Sequence, residues 1–217
     1  MTKIDISAIR DEYKMQSLSK SDVGEHPIEF FRKWFEEAVK ADFNEVNAMT
    51  LATVDDAGIP HTRVVLLKDI EEEGFIFYTN YQSNKGKQIE KHDKVSLLFF
   101  WKELERQVRI EGRIEKISAE KSDKYFNSRP LSSRVGALVS AQSQVIENRH
   151  VLERKHQQLM DQAFADPSSI KRPEHWGGYI VRPYFVEFWQ GRPNRLHDRI
   201  AMEKKADSSW KIYRLAP

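Results

Sequence analysis

Residues 187–199 read Glu-Phe-Trp-Gln-Gly-Arg-Pro-Asn-Arg-Leu-His-Asp-Arg, and this stretch decides how the C-terminal part of the chain is interpreted. Its first four residues alternate as in a strand, and a glycine and a proline then interrupt the alternation. The alternation resumes at Arg195, which predicts a second strand with Arg195, His197 and Arg199 on one face. Two guanidiniums and an imidazole on one face suit an anionic or electron-rich ligand. A solvated edge strand with Arg–Asp pairs explains the same pattern, so both interpretations stand on this stretch alone.

The composition limits the classes of protein to which the chain can belong. A length of 217 residues with 40% hydrophobic and 31% charged residues is typical of a soluble globular protein with one large or two small domains. Lysine and arginine number 35 against 33 acidic residues, so the net charge of +2 does not favour a nucleic-acid partner. Any site for an anion must therefore be local.

Other classes are excluded by residues that the sequence lacks. It contains no cysteine, so disulfides, a thiolate nucleophile and a cysteine-type zinc site are all excluded, and we expect no metal. The N-terminus has acidic residues early and no apolar segment of the secretory type. No apolar run is long enough to span a membrane. We therefore expect a soluble, cytoplasmic protein without a membrane or nucleic-acid partner.

The order of patterns along the chain predicts a mainly β fold with flanking helices. An N-terminal arm of residues 1–26 precedes one domain, residues 27–217, which includes helical insertions and the C-terminal region. The predicted elements are a helix from Pro27, a hairpin over 48–67, a strand over 74–79, a helix over 84–91 capped by Ser83, strands over 95–101 and 106–117, helices over 118–126 and 147–164, and final strands from Trp176 to Leu215. Short connections between successive strands favour an antiparallel barrel over a parallel sheet.

Two groups of polar residues are candidates for a binding site. Arg63 and Lys68 lie at either end of an apolar strand. Because they are five positions apart, they face opposite sides of the strand unless a bulge or twist intervenes. The strand ending at Asn80 precedes the Ser83-capped helix, whose first turn contains lysines. Backbone N–H groups, hydroxyls and ammonium groups at such a helix start suit a phosphate, although a purely structural cap is an equal alternative.

Taken together, six motifs are more specific than any one of them. They are Arg63-Val-Val-Leu-Leu-Lys68, Tyr78-Thr79-Asn80, Gln107-Val108, Tyr125-Phe-Asn-Ser-Arg129-Pro130, Gln142-Ser143 and the stretch from Trp189 to Arg199. In this order and approximate spacing they resemble the pyridoxamine 5'-phosphate oxidase family over nearly the whole chain. The resemblance implies an FMN-binding split β-barrel, antiparallel, and a homodimer with FMN at the subunit interface.

The resemblance also implies an activity. Members of the family oxidise pyridoxamine 5'-phosphate and pyridoxine 5'-phosphate to pyridoxal 5'-phosphate, with O2 as electron acceptor and H2O2 as product. Two other functions remain open, because one fold hosts many activities. One is a different split-barrel FMN reductase, and the other is a non-catalytic carrier of FMN or pyridoxal phosphate.

Residue roles follow from the resemblance position by position. The implied FMN contacts are Arg63, Val64, Val65, Leu66, Leu67, Lys68, Tyr78, Thr79, Asn84, Lys85, Gln107, Gln142, Ser143, Trp189 and Arg199. The implied substrate contacts are Lys68, Tyr125, Arg129 and Ser133 around the phosphate, Arg195 and His197 over the pyridine ring, and Arg10 and Tyr13 from the N-terminal arm. Arg195 and His197 are the implied catalytic residues.

The sequence departs from the family pattern at two places. The family usually has Arg-Lys after the serine of the predicted helix cap, and this chain has Asn84-Lys85. Asparagine brings no charge, so FMN binding must depend more strongly on Arg63 and Lys85. After Arg129-Pro130 the family often has a further cation, where this chain has Leu131-Ser132-Ser133.

Overall fold

The computed structural model describes Tyr13, residues 16–42 and residues 44–217, so the predicted contact Arg10 lies outside the described residues. Groups of strands and single or grouped helices follow one another along this part of the chain. The helices are α1 (Pro27–Lys40), α2 (Asn84–Lys91), α3 (Ala119–Ser128), α4 (Leu131–Val139) and α5 (Arg149–Ala165). The strands are β1 (Ala48–Val54), β2 (Pro60–Leu66), β3 (Asp69–Glu71), β4 (Gly74–Asn80), β5 (Lys94–Trp101), β6 (Arg106–Lys116), β7 (Trp176–Gln190), β8 (Asp198–Lys204) and β9 (Trp210–Leu215).

The strands form a sheet in the order β2-β1-β5-β6-β7-β4-β3, and β8 and β9 extend it from β7. Strand β4 pairs antiparallel with the start of β7, so that Tyr78 lies opposite Gly178. Strand β8 pairs antiparallel with the end of β7, so that Arg199 lies opposite Trp189. This arrangement confirms the prediction of an antiparallel, mainly β fold with flanking helices.

The chain divides into two compact units. The first unit comprises residues up to 49, 97–111 and 183–217, and the second comprises 50–96 and 112–182. In the first unit, α1 is amphipathic as predicted, begins with Pro27 and buries Phe30, Phe31 and Trp34. The Phe31 ring packs edge-on against Phe99 with centroids 4.9 Å apart. This face of α1 anchors the core of the first unit.

In the second unit, α3, α4 and α5 surround a separate apolar cluster. Its buried members are Phe126, Val135, Val139, Ala163, Ile170 and Trp176. Helices α3 and α5 begin with side-chain caps, because Ser118 accepts from the N–H of Lys121 and Asn148 accepts from that of Val151. The helices hold the segment that follows α4 beside the end of β4. Among the described residues, no helix is long and apolar enough to cross a membrane.

The structure corrects three local predictions. Helix α4 begins directly after Pro130 and lies between the helices predicted over 118–126 and 147–164, where no helix was predicted. The acidic segment between the predicted hairpin and the strand predicted over 74–79 contains the short strand β3, which pairs with β4. Tertiary packing supplies partners for both segments, and local patterns do not show them.

The third correction concerns Arg195, His197 and Arg199, which do not share one face of a strand. Pro193–Arg195 is a 3-10 turn, and β8 begins only at Asp198. Asn194 and Arg195 have positive φ values of 57° and 61°. Side chains alternate only where every residue is extended, so two left-handed residues break the alternation.

Candidate functional site

A cavity of about 620 Å³ opens in the second unit, and cations dominate its charged lining. The lining residues are Arg63, Val64, Val65, Leu66, Lys68, Tyr78, Thr79, Lys85, Tyr125, Arg129, Pro130, Ser133, Gln142 and Trp176. Four of them are cationic, and no carboxylate occurs among the described residues that line it. A phosphate carries about two negative charges at neutral pH, so this charge suits more than one phosphate group.

Arg63 is held on β2 by neutral oxygen atoms. Its Nη1 donates to Thr53 Oγ1 over 2.5 Å and to the Leu51 carbonyl over 3.2 Å. Its Nη2 donates to Gln88 Oε1 over 3.3 Å. Burial lowers the pKa of Arg63, which still leaves the guanidinium charged at neutral pH. A half-buried cation with no counter-ion among the described residues favours an anionic ligand.

Lys85 lies in the first turn of α2 and is only 9% exposed. Its Nζ donates to Gln142 Oε1 over 3.0 Å and to Ser83 Oγ over 3.3 Å. Burial, followed by repulsion from Arg63, lowers the pKa of Lys85 to about 8. An anion beside both cations would relieve that repulsion. Gly86 is required here because an added Cβ would lie 2.0 Å from the Tyr81 carbonyl oxygen.

The segment after α4 is fastened to the end of β4 and the start of α2. Asn80 Nδ2 donates to the Ser140 carbonyl over 3.2 Å, and Thr79 Oγ1 donates to Gln142 Oε1 over 3.3 Å. The N–H of Asn84 donates to Ser143 Oγ over 3.2 Å, with Ser143 at a φ of 73°. These bonds place the Gln142 amide against Lys85.

Three aromatic rings form a stack beside these cations. Tyr78 and Tyr125 are stacked with centroids 3.8 Å apart, and Tyr78 and Trp176 are 5.5 Å apart at 14°. Burial, then the nearby Tyr125, raises the pKa of Tyr78 to about 12, so its phenol stays neutral. The Arg129 guanidinium lies 4.8 Å from the centroid of Trp176. Its Nη1 is buried and has no hydrogen-bond partner among the described residues, which suits an anion acceptor.

In the first unit, Tyr13, Trp189 and His197 form an aromatic cluster. The Tyr13 ring packs edge-on against Trp189 at 5.6 Å and against His197 at 5.5 Å, and the latter two are 4.7 Å apart. The N–H of Arg192 donates to His197 Nδ1 over 3.1 Å. Nδ1 must therefore carry a lone pair, which places the proton of the neutral ring on Nε2. Burial, then Arg195, lowers the pKa of His197 and favours this neutral form.

Arg199 also belongs to the first unit, and carboxylate and carbonyl groups hold it. Its Nε donates to Glu187 Oε1 over 2.7 Å, and its Nη1 donates to the Ala216 carbonyl over 2.7 Å. Arg109 Nη2 donates to Glu187 Oε2 over 2.9 Å. Burial raises the pKa of Glu187, but the bonds from Arg199 and Arg109 together outweigh it and lower the pKa. Glu187 is therefore a charged carboxylate between two arginines.

The remaining predicted residues are placed as follows. Arg195 is exposed in the turn before β8, and Gln107 is partly buried on β6 of the first unit. Among the predicted residues of the second unit, Leu67, Asn84 and Ser143 lie outside the cavity lining. Arg63 and Lys68 both line the cavity, because β2 ends at Leu66 and the strand alternation does not extend to Lys68.

Sequence reasoning missed several residues. Pro130 and Trp176 line the cavity, and Thr53 and Gln88 hold Arg63. A signal for Trp176 was present in the two glycines after it. An added Cβ at Gly177 would lie 2.1 Å from the Tyr81 hydroxyl, which shows how closely this part of β7 is packed.

Comparisons with known proteins cover nearly the whole chain. The family model "Pyridoxamine 5'-phosphate oxidase" matches residues 35–162, and "Pyridoxine 5'-phosphate oxidase C-terminal dimerisation region" matches residues 176–217. A relative from Leptospira interrogans, named pyridoxine/pyridoxamine 5'-phosphate oxidase, is 53% identical over 98% of both chains. A relative of the same name from Burkholderia lata is 51% identical over 98% of this chain and 99% of its own.

Solved structures show the same fold. PhzG from Burkholderia lata, in complex with tetrahydrophenazine-1-carboxylic acid, has a TM-score of 0.87 at 28% identity over 94% of this chain and 99% of its own. A pyridoxamine 5'-phosphate oxidase-related, FMN-binding protein from Nostoc punctiforme has a TM-score of 0.70 at 16% identity, over 86% of this chain and 97% of its own. These similarities confirm the predicted split β-barrel.

Proposed function

The chain belongs to the pyridoxamine 5'-phosphate oxidase family, and we propose that it oxidises pyridoxamine 5'-phosphate and pyridoxine 5'-phosphate to pyridoxal 5'-phosphate, using FMN and O2 and releasing H2O2. Family membership makes it an oxidase, and the substrates and cofactor are the proposal. The observation that supports both phosphates is the cavity with four cations and no carboxylate among its described lining residues. One phosphate would belong to the cofactor and the other to the substrate.

Arg63, Thr79 and Lys85 fit the phosphate of FMN, since they offer charged and hydroxyl donors. The amides of Gln142 and Gln107 and the indole of Trp189 are the groups that we assign to the flavin ring. When bound, FMN would supply the hydride acceptor for the oxidation at substrate C4' and the route of the electrons to O2. The described residues orient the reactants and hold charge around them.

Lys68, Tyr125, Arg129 and Ser133 fit the substrate phosphate. The buried Nη1 of Arg129, which has no partner among the described residues, would gain one from a phosphate oxygen. The ring of Trp176 beneath the guanidinium restricts its orientation. A neutral Tyr125 donates a hydrogen bond without adding negative charge, because burial raises its pKa.

Arg195 and His197 are the proposed catalytic residues. His197 is proposed to act as a hydrogen-bond donor through Nε2 rather than as a base, since its Nδ1 already accepts from Arg192. Arg195 is exposed and without an ion pair among the described residues, so its charge remains available to the substrate. The proposed role of Arg195 is to bind the substrate and orient it so that C4' faces the hydride acceptor, because the loss of a hydride leaves positive and not negative charge on that carbon.

The proposal includes a homodimer with FMN at the subunit interface. The match of residues 176–217 to a dimerisation region supports two copies of the chain. The position of Val64 is compatible with a dimer, because this apolar side chain lines the cavity, lies on the strand at one end of the sheet and is 66% exposed. A second chain would cover such a surface, as an isologous interface does.

Other activities have weaker support. PhzG from Burkholderia lata is 28% identical to this chain, whereas the relative from the same species named pyridoxine/pyridoxamine 5'-phosphate oxidase is 51% identical. An FMN reductase would not need a second phosphate site, and a carrier would not turn over. The cation count of the cavity therefore favours a phosphorylated substrate.

Anaerobic flavin reduction tests the proposal. Pyridoxamine 5'-phosphate should bleach the FMN-loaded protein in a single turnover, and pyridoxamine without phosphate should do so far more weakly. Air should then restore the flavin absorbance with release of H2O2. Bound flavin that neither phosphorylated vitamer reduces would refute the proposed function.

A further inference from the structure

We propose that Thr53 and Gln88 are positioning residues that fix the Arg63 guanidinium for the cofactor phosphate. The inference rests on the proposed function, in which Arg63 binds that phosphate. Neither side chain lines the cavity. Both act through hydrogen bonds to Arg63, and their effect is to leave one edge of the guanidinium, fully charged, for an anion.

The hydrogen bonds of Arg63 show which edge remains. A guanidinium has five N–H groups, and three of them donate to the Leu51 carbonyl, Thr53 Oγ1 and Gln88 Oε1. Thr53 and Gln88 take one hydrogen from each terminal nitrogen, Nη1 and Nη2. The two N–H groups that no described residue accepts are therefore those of Nε and Nη2. This pair is a fork that matches two oxygens of a phosphate.

Thr53 and Gln88 are themselves linked, which fixes the direction of their acceptors. Thr53 Oγ1 donates to Gln88 Oε1 over 2.6 Å, and Thr53 is 2% exposed. Since the single hydroxyl proton goes to Gln88, the oxygen of Thr53 presents only lone pairs to Arg63. Gln88 and Lys85 lie three residues apart on α2, so one short helix supplies the cation Lys85 and also a hydrogen-bond partner of Arg63.

The chemistry of the two acceptors preserves the charge of Arg63. A carboxylate in either place would pair with the guanidinium and reduce its attraction for a phosphate. A hydroxyl and an amide oxygen orient the same group without adding negative charge. Thr53 and Gln88 therefore orient Arg63 and leave its charge unpaired, so both the direction and the charge of the guanidinium suit a phosphate.

The inference is tested by flavin binding to the cofactor-free full-length protein. Quenching of flavin fluorescence measures that binding. We expect Gln88→Met and Thr53→Val each to raise the dissociation constant of FMN by about tenfold, since each removes an acceptor from a charged donor. Riboflavin, which lacks the phosphate, should bind these variants as it binds the wild-type protein. Thr53→Ser keeps the hydroxyl and should retain FMN affinity.

Lys87→Gln is the matched control, because Lys87 is an exposed neighbour on the same helix. It should change FMN affinity by less than the positioning variants. In an Arg63→Lys background, Gln88→Met should have little further effect, since the bond that it removes is already lost. Circular dichroism shows whether each variant is folded. If Thr53→Val does not fold, the test rests on Gln88→Met.

Two results would overturn the inference. One is unchanged FMN affinity in folded Gln88→Met, and the other is an equal loss for FMN and riboflavin. A wild-type protein that binds riboflavin as tightly as FMN would instead refute the phosphate site of the proposed function. The comparison of the two flavins thus separates the two failures.

Discussion

Two cations in the cavity of the second unit and two arginines of the first unit differ in the groups that neutralise them. In the second unit, Arg63 and Lys85 are held by hydroxyl, amide and carbonyl oxygens, with no carboxylate among the described lining residues of their cavity. In the first unit, Arg106 pairs with Glu37, and Arg199 pairs with Glu187. The same residue types are thus arranged for ligand binding in one region and for structure in the other.

Counter-ions explain this difference. A paired arginine satisfies a buried carboxylate, so its removal should lower stability. An arginine held by neutral oxygens keeps its charge for a ligand, so its removal should lower affinity. Arg195 of the first unit differs from Arg106 and Arg199, because it is exposed and has no ion pair with a described residue.

Among the variants considered, Arg63→Met should have the largest effect on FMN affinity. It tests most directly whether a cation held by neutral oxygens serves binding and not stability. We expect FMN affinity to fall by about 100-fold, because a charged bidentate donor to phosphate is lost. The free energy of unfolding of the cofactor-free protein should change little. Fluorescence titration and urea unfolding measure the two quantities. A loss of stability without a loss of affinity would place Arg63 with the structural cations.

Arg195→Leu tests the exposed arginine. Flavin reduction by pyridoxamine 5'-phosphate should slow by about 30-fold with FMN still bound, as expected for loss of one charged contact in the transition state. Arg129→Leu should act mainly on KM, because its contact holds the substrate phosphate in ground and transition states alike. Anaerobic stopped-flow reduction measures both variants. A wild-type rate in Arg195→Leu would make this residue a solvated surface cation.

Arg199→Met tests the arginines that pair with a carboxylate. We expect the free energy of unfolding to fall by about 1.5 kcal/mol, less than for a fully buried pair, because Arg109 remains beside Glu187. FMN affinity should fall less than in Arg63→Met. Urea unfolding and FMN titration of the same preparation give both numbers. A larger loss of affinity than of stability would break the comparison and favour Arg199 as a direct cofactor contact.

The pKa of Lys85, lowered to about 8, predicts opposite pH dependences for stability and for binding. An unfolded lysine keeps its proton up to about pH 10.4, so stability of the cofactor-free protein should rise between about pH 8 and 10. FMN affinity should fall over the same range, by about tenfold at most per pH unit, because the deprotonated amine offers no charge to the phosphate. Lys85→Met should abolish both trends, and a pH-independent affinity in the wild-type protein would contradict them.

Asn84→Arg should have the smallest effect. Asn84 is exposed, lies outside the cavity lining and uses its N–H on Ser143. An added arginine there would be screened by solvent, so we expect FMN to bind only about threefold more tightly, with turnover unchanged. Titration at low and high salt measures the gain. Weaker binding would show that position 84 does not face the phosphate.

Sequence patterns predicted much of the fold. The amphipathic stripe of α1, the Ser83 cap of α2 and the alternation of the β strands were visible because each depends on residues only a few positions apart. The six motifs in register also identified the family, and the comparisons confirm it. The roles of individual site residues remain predictions.

Only the tertiary structure decided which cations are available to a ligand. Arg63 and Arg199 both look like strand cations in the sequence, yet one is held by Thr53 and Gln88 and the other by Glu187. The partners of Arg63 come from β1 and α2, and no local pattern links them to it. The sequence determined where positive charge occurs, whereas folding determined its counter-ion, because electrostatic attraction depends on distance in space and not along the chain.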